Sequence, residues 1–297
     1  MNTIFDVIVV GAGHAGYEAA LAAARMGSST ALVTMDRTAI GRLSCNPSIG
    51  GIGKSHIVAE LDALGGEMAR NADYSGIQFR TLNTRKGPAV QAHRLQCDKE
   101  AFPARVQAVI GQTRGLSVVD AQVAEVWTEN GTLRGVILAD GSRLASKTVV
   151  IAAGTFLGGK IHIGKVNWEG GRIGENAAYA LSTSIRSLGF RMGRLKTGTP
   201  PRLHKDSLDY ARMELQPGLE PPPFLSSAAG RDWRMFHGEQ SEEMGDGRWA
   251  TSKGEFSGGQ EVEHCPSPIV HLPSLFHVEQ VTPAMRPWLP GSDQMPC

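Results

Sequence analysis

The first apolar run, Ile4 to Val10, is β-branched and nearly unbroken, the pattern of a parallel strand buried on both faces. It leads directly into Gly11-Ala12-Gly13-His14-Ala15-Gly16. Tyr17 to Met26 is rich in Ala and Leu and predicts a helix, with Gly27 as its C-terminal stop. Thr30 to Thr34 predicts the next strand, completing a βαβ unit with a right-handed crossover. Ile57 to Ala69 predicts a helix. The stretch from there to Gly87 reads as irregular and basic, and Val90 to Ile110 predicts a further helix. From Val118 to Ile151 the pattern changes to short alternating segments separated by ENGTL and ADGSR. In both, Gly follows Asn or Asp, a strong hairpin signal. The last segment runs into KTVVIAAGTFLGG, a second buried strand that ends in small residues. Glu175 to Leu188 predicts a helix, and GRLKTGTPPRL a strand and loop.

This order predicts an α/β protein: a Rossmann-like FAD-binding domain of the glutathione-reductase type. A β-meander before a second glycine-terminated strand is how two-domain FAD oxidoreductases are built. The domain is expected to fill 1–224, with an inserted α+β segment at about 40–115 and the meander at about 118–146. Beyond Pro221 the periodicity fades into Pro, Gly, Ser and charge, so 225–297 is expected to be a low-order extension or insert. Phe236-His-Gly-Glu-Gln240 and Phe276-His-Val-Glu-Gln280 echo each other there, but two copies do not make a repeat architecture.

Composition narrows the chemistry. The 297 residues are 41% hydrophobic, enough for a core, and the formal net charge of +1 gives no global attraction to nucleic acid or membrane. Any RNA contact must therefore be a local patch. The four cysteines (Cys45, Cys97, Cys265 and Cys297) lack the paired spacing of a zinc ribbon or disulfide framework, which fits a reducing compartment. No run approaches the roughly 20 apolar residues of a membrane span, and the N-terminus lacks the basic start of a signal peptide. A soluble cytoplasmic protein is expected.

Gly11-x-Gly13-x-x-Gly16 sits between a strand and a helix, the context that gives this motif meaning. Gly11 suits the tight turn, Gly13 the approach of a pyrophosphate, and Gly16 close helix–strand packing, while the helix start offers N–H donors. The acidic residue expected at the end of the second strand is displaced: Thr34-Met35 stands there, with Asp36 just beyond as a candidate ribose ligand. The stretch RLSCNPSIGGIGKS at 42–55 imitates a Walker loop, but Ser48 occupies the place of the first glycine and Asn46-Pro47 separates it from any strand. It reads instead as a small-residue loop beside a flat cofactor. Cys45 within it is either a reactive thiol or an inert structural one. Arg80, Arg85, Lys86, Arg94 and Lys99 form a basic run, as do Arg194, Lys196 and Arg202 around TGTPP. Each is either a solvated face or a phosphate- or carboxylate-binding patch. His237, His264, Cys265, His271 and His277 match no metal-ligand spacing, so no metal is expected.

Together FDVIVVGAGHAGYEAALAAARMG, SCNPSIGGIGK, ELDALGG, GIQF, LNTRKGPAVQAHR, GTFLGGKIHIG, GGRIGE and GRLKTGTPPR closely resemble the glucose-inhibited division protein A family from about residue 5 to 224. That family comprises FAD enzymes that install 5-carboxymethylaminomethyl groups on the wobble uridine (U34) of certain tRNAs. The resemblance implies FAD at Gly11, Ala12, Gly13, His14, Ala15 and Gly16, with Val123 at a further FAD-contacting position. A serine contact of the family falls on Ala178 here. Cys45 matches one of two cysteines that the family needs. The resemblance also implies NADH as flavin reductant, methylenetetrahydrofolate as one-carbon donor, a homodimer, a partner GTPase, and tRNA as substrate. Members of the family are considerably longer, and their NAD loop, second cysteine and helical tRNA-binding domain have no counterpart in this sequence. The chain is therefore expected to be an N-terminal part, either active within a larger enzyme or an inactive FAD- or partner-binding fragment. The folate- and FAD-dependent tRNA uridine-54 methyltransferases share the first glycine motif, but SCNPSIGGIGK argues against them.

Overall fold

A six-stranded sheet organises the molecule, and the computed structural model describes residues 4–198, 203–229 and 281–283 of it. Strands β1 (Ile4–Val10) and β2 (Thr30–Thr34) flank helix α1 (His14–Arg25). An inserted layer follows: β3 (Ser48–Gly50), α2 (Ser55–Ala63), α3 (Met68–Ser75), β4 (Gly76–Leu82), β5 (Ala92–Cys97) and α4 (Ala101–Gln112). The chain re-enters the main sheet through β6 (Leu116–Asp120), the meander strands β7 (Val123–Glu129) and β8 (Thr132–Leu138), and the long β9 (Arg143–Ile151). A hairpin of β10 (Lys160–Ile163) and β11 (Val166–Glu169), helix α5 (Tyr179–Ser187), and a pair of β12 (Met213–Leu215) with β13 (Val281–Pro283) complete the described chain.

The sheet order is β6-β2-β1-β9-β8-β7. The first four strands run parallel, with Val7–Val10 beside Thr30–Val33 and beside Thr148–Ile151. Val9 and Leu32 are buried on one face with Tyr17, Leu21, Phe102 and Val106, whereas Ile8 and Val33 are buried on the other with Val136, Leu181 and Ile185. That division explains the apolar run of β1: neighbouring residues alternate faces, and both faces are covered. The ENGTL hairpin forms as read, with Asn130 and Gly131 both at positive φ, the geometry a tight primed turn requires.

The inserted layer differs from its sequence reading. Val90 to Ile110 is not one helix: Ala92–Cys97 is a strand paired antiparallel with β4, and the helix begins only at Ala101. The Asp98 carboxylate accepts from the N–H groups of Glu100 and Ala101 at 2.8 Å, a local cap that starts the new element. The expected helix from Ile57 to Ala69 is two helices, broken at Gly65, whose φ of +85° suits glycine. The stretch read as irregular up to Gly87 contains α3 and β4, and the helix expected from Glu175 begins at Tyr179. The packed chain also continues past 224: Leu225 and Ser226 are buried, 7% and 2% exposed. The histidines at 237, 264, 271 and 277, Cys265 and the Phe-His echo lie outside the described residues.

Buried carboxylates tie the layers together. Glu18, on α1, accepts from the N–H groups of Glu67 and Met68 and so caps α3 from another element. Burial pushes its pKa up, against the pull of those two donors. Asp73, on α3, accepts from the N–H groups of Leu225 and Ser226 at 2.9 and 2.7 Å. Asp62 on α2 accepts from Ser227 N–H and hydroxyl at 2.9 and 3.0 Å. These two acids strap the returning segment 224–229 onto the inserted layer.

Candidate functional site

At the carboxyl ends of β1 and β9 the strand order reverses direction, the position where open α/β sheets bind ligands. A cleft of about 810 Å³, open solvent at its mouth included, lies there. Gly11, Ala12 and Gly13 form one wall, Ala121 to Val123 and Ala152 to Phe156 another, and Asp36, Arg172, Glu175 and Ala178 reach it from the rim.

Gly11 and Gly16 meet the turn and close-packing demands read from their spacing. Gly11 has φ of +101°, and a Cβ there would stand 2.4 Å from the Ala152 carbonyl oxygen. A Cβ on Gly16 would stand 1.7 Å from the Gly11 carbonyl oxygen, so only glycine lets α1 lie this close to β1. At Gly13 a Cβ would meet nothing within 4 Å. Packing therefore does not require glycine at 13, and the space beside its backbone is open to a ligand at the start of α1.

The other residues singled out by sequence divide between cleft and surroundings. Val123 lines the cleft and is 3% exposed. His14 stands at the first position of α1 with its ring edge-on to Tyr17 and Phe102, and its Nδ1 is buried without a hydrogen-bond partner. Burial first, and then the nearby Arg172 charge, lower its pKa, so the ring is held neutral. Asp36 reaches the rim, but its carboxylate already accepts from Thr38 N–H and hydroxyl at 2.8 and 2.6 Å. A ribose would share an acceptor that also caps a short 3₁₀ turn. Cys45 is not among the cleft residues: it is exposed, with Sγ 3.7 Å from the Gly198 carbonyl oxygen in the TGTPP segment. Of the basic runs, Arg80 and Arg94 stand opposite each other on β4 and β5, and Arg80 donates to the Gln216 side chain at 3.1 Å.

Arg172 and Glu175 escaped the sequence reading. Arg172 lies 5.2 Å over the Phe156 ring, and Glu175 Oε1 accepts from Arg42 Nη1 at 3.1 Å. Arg42 also reaches Asp36 at 3.5 Å, so alternating charges run along the rim from Asp36 to Arg172. The available signal was their position: GGRIGE follows the second glycine-ended strand, as the rim of a switch-point cleft should.

Taken together, the open backbone at Gly13, the N–H groups starting α1 and a cationic side chain at the rim suit an extended ligand with an anionic middle. Ala178 is the N-terminal flanking residue of α5 and offers no side-chain acceptor to it. Ala178→Ser should therefore raise stability by about 1 kcal/mol through a capping hydrogen bond, read as a higher melting temperature. An unchanged melt would mean the hydroxyl finds no N–H there. Among the described residues no group of three or more His, Cys, Asp or Glu is placed to hold a metal ion, and no helix is long and apolar enough to cross a membrane.

Comparison with known proteins gives the following relatives. The family model described as glucose inhibited division protein A matches residues 6–240. The tRNA uridine 5-carboxymethylaminomethyl modification enzyme MnmG of Geobacter sulfurreducens is 52% identical over 224 residues, which are 75% of this chain and 36% of that protein. The enzyme of the same name from Geobacter metallireducens is 53% identical over the same lengths. Among solved structures, Aquifex aeolicus GidA has 46% identity and a TM-score of 0.72, over 75% of this chain and 37% of that one. The GidA-related protein from Thermus thermophilus, at 24% identity and a TM-score of 0.50, shares the fold over 67% of this chain and 75% of its own. The chain thus spans little more than a third of the length of the curated relatives it matches.

Proposed function

The chain belongs to the glucose-inhibited division protein A family, and on that premise we propose that its cleft binds FAD and that it forms the flavin-holding part of an enzyme forming 5-carboxymethylaminomethyluridine at the tRNA wobble position. The observation that carries the cofactor assignment is the glycine triad: two positions where a Cβ would strike backbone, and one, Gly13, where it would meet no protein atom within 4 Å and the space is open to a ligand. The α1 N–H groups and Gly13 would hold the pyrophosphate. Val123 and Ala178 would enclose the adenosine end, Ala178 through its backbone. Bound flavin would supply the redox chemistry. The protein's own part is to bind and orient it, with the His14 ring packed edge-on against Phe102 at the helix start.

Cys45 is proposed as nucleophile or acid toward the uridine, because an exposed thiol beside the TGTPP segment can meet a macromolecular substrate. The Arg80–Arg94 pair and the second basic run suit tRNA phosphates. NADH, methylenetetrahydrofolate, homodimerisation, the GTPase partner and a cytoplasmic setting are proposed on the ground of family membership. The shortness of the chain relative to its relatives favours a second reading of the isolated polypeptide: it binds FAD but does not complete the modification alone.

Reconstitution tests the reading. The purified chain should bind FAD saturably, with the flavin absorbance bands shifted from those of the free cofactor. A colourless preparation that no FAD restores would refute the assignment. In the chain extended to full family length, Cys45→Ser should retain normal flavin content while tRNA modification falls at least about a hundredfold. Modification at the unsubstituted rate would remove Cys45 from the mechanism.

A further inference from the structure

The charges at the cleft rim do not close on themselves. Glu175 Oε1 is held at 3.1 Å by Arg42, which leaves it 3.6 Å from Arg172 Nη1, an ion-pair distance beyond hydrogen-bond reach. Arg172 Nη1 is buried and has no hydrogen-bond partner. Its guanidinium is nevertheless fixed, stacked over Phe156 at 5.2 Å. Burial pulls the Arg172 pKa below the usual guanidinium range, with Arg42 adding to the fall and Glu175 and Asp36 opposing it. Among the described residues lining the cleft, Arg172 is the sole cation, and its field reaches His14 at the start of α1. A cation held at the cleft wall attracts an anionic ligand, and guanidinium geometry matches phosphate oxygens.

We infer that Arg172 is the side-chain receptor for the pyrophosphate of FAD, meeting it with the part of its guanidinium that lines the cleft while the start of α1 holds it through backbone N–H groups. The inference rests on the FAD assignment above and deepens it. The cleft selects a diphosphate-bearing adenosine cofactor over its phosphate-free parts by one guanidinium, and Phe156 and the Arg42–Glu175 pair act as its positioning residues. Glu175, at 3.1 Å from Arg42, stays 3.6 Å from Arg172 and so does not tie up the guanidinium in a hydrogen bond.

The test uses the full chain and FAD, with ADP and adenosine as displacing ligands. Arg172→Gln should weaken FAD and ADP about ten- to a hundredfold while leaving adenosine unchanged. Arg172→Lys, a point charge without the fork, should fall between. Ligand-free melts of Arg172→Gln should fall slightly, from loss of the Phe156 stacking and the Glu175 ion pair, so unchanged adenosine affinity is the control for an intact cleft. Unchanged FAD and ADP affinity in Arg172→Gln would overturn the inference while the FAD assignment stands. Parallel loss of ADP and adenosine would also overturn it, by showing a structural role. Failure of the unsubstituted chain to bind either FAD or ADP would remove the FAD assignment and this inference together.

Discussion

Gly16→Ala is expected to abolish FAD binding and to lower stability by about 3–5 kcal/mol, the upper end for a single methyl group. The added Cβ would lie 1.7 Å from the Gly11 carbonyl oxygen, and backbone cannot rotate out of the way as a flexible side chain can. Either α1 moves off β1, or the 11–13 turn opens and Gly11 is driven against Ala152. Both outcomes disorganise the ligand wall and the packing of Tyr17 and Leu21 beneath it. Gly13→Ala is the companion measurement. Its Cβ meets no protein atom and Gly13 has φ of −72°, so melting should change little, yet FAD affinity should drop by at least about a hundredfold. A Gly16→Ala protein that melts and binds like its parent would show that the helix–strand contact tolerates a methyl group, contrary to the geometry. Normal FAD binding by Gly13→Ala would place the pyrophosphate elsewhere.

A second large effect concerns pH. Asp73 is 2% exposed, and burial pushes its carboxyl from the ordinary 3.8 up to about 7, with Asp62 adding to the rise and the Leu225 and Ser226 N–H groups opposing it. The folded state therefore keeps a proton that the unfolded chain releases. Stability from this group is fully present below about pH 4 and is lost as pH rises to about 7, with no further change above. A rise of about three units corresponds to about 4 kcal/mol across that window. His14 and His93, whose values are lowered by burial, tilt the profile the opposite way, so the test is a difference. Urea unfolding of the parent and of Asp73→Asn between pH 4 and 8 should show the parent losing about 4 kcal/mol relative to the variant over this range. Parallel profiles would mean that Asp73 does not titrate there. The Cys97 thiol, which burial pushes up to about 11, stays protonated throughout and does not contribute.

What the amino-acid order disclosed follows from how local each cause is. The Gly11–Gly16 turn was legible because its positive φ at Gly11 and the Gly16–Gly11 contact arise within six residues, and the 130–131 hairpin because Asn-Gly prefers positive φ in any context. The stretch from Val90 to Ile110 misled because its Ala, Gln and Leu content suits a helix, while Ala92–Cys97 is claimed by pairing with Gly76–Leu82. The Asp98 cap was the local clue to the break. Glu18, Asp73 and Arg172 were illegible for a different reason. Glu18 caps a helix 49 residues onward, Asp73 binds backbone 152 residues away, and Arg172 joins a rim that Arg42 and Glu175 build from distant parts of the chain. Asp36 was half legible, because its place after β2 suggested a ribose contact while its engagement with Thr38 is a matter of turn geometry.

The pairing of β1 with β9 also sets a timetable. The strand beside Ile4–Val10, Ala145–Ile151, follows it in the chain only after the inserted layer and the meander. Closing so long a loop costs entropy that local hairpins do not. The β7–β8 and β10–β11 hairpins close locally, whereas Ala152 and Ala153 meet the Gly11 turn only across that long loop. The proposed cofactor cleft is thus built on a non-local pairing, and a ligand can recognise it only after the first and last strands of the central sheet have met.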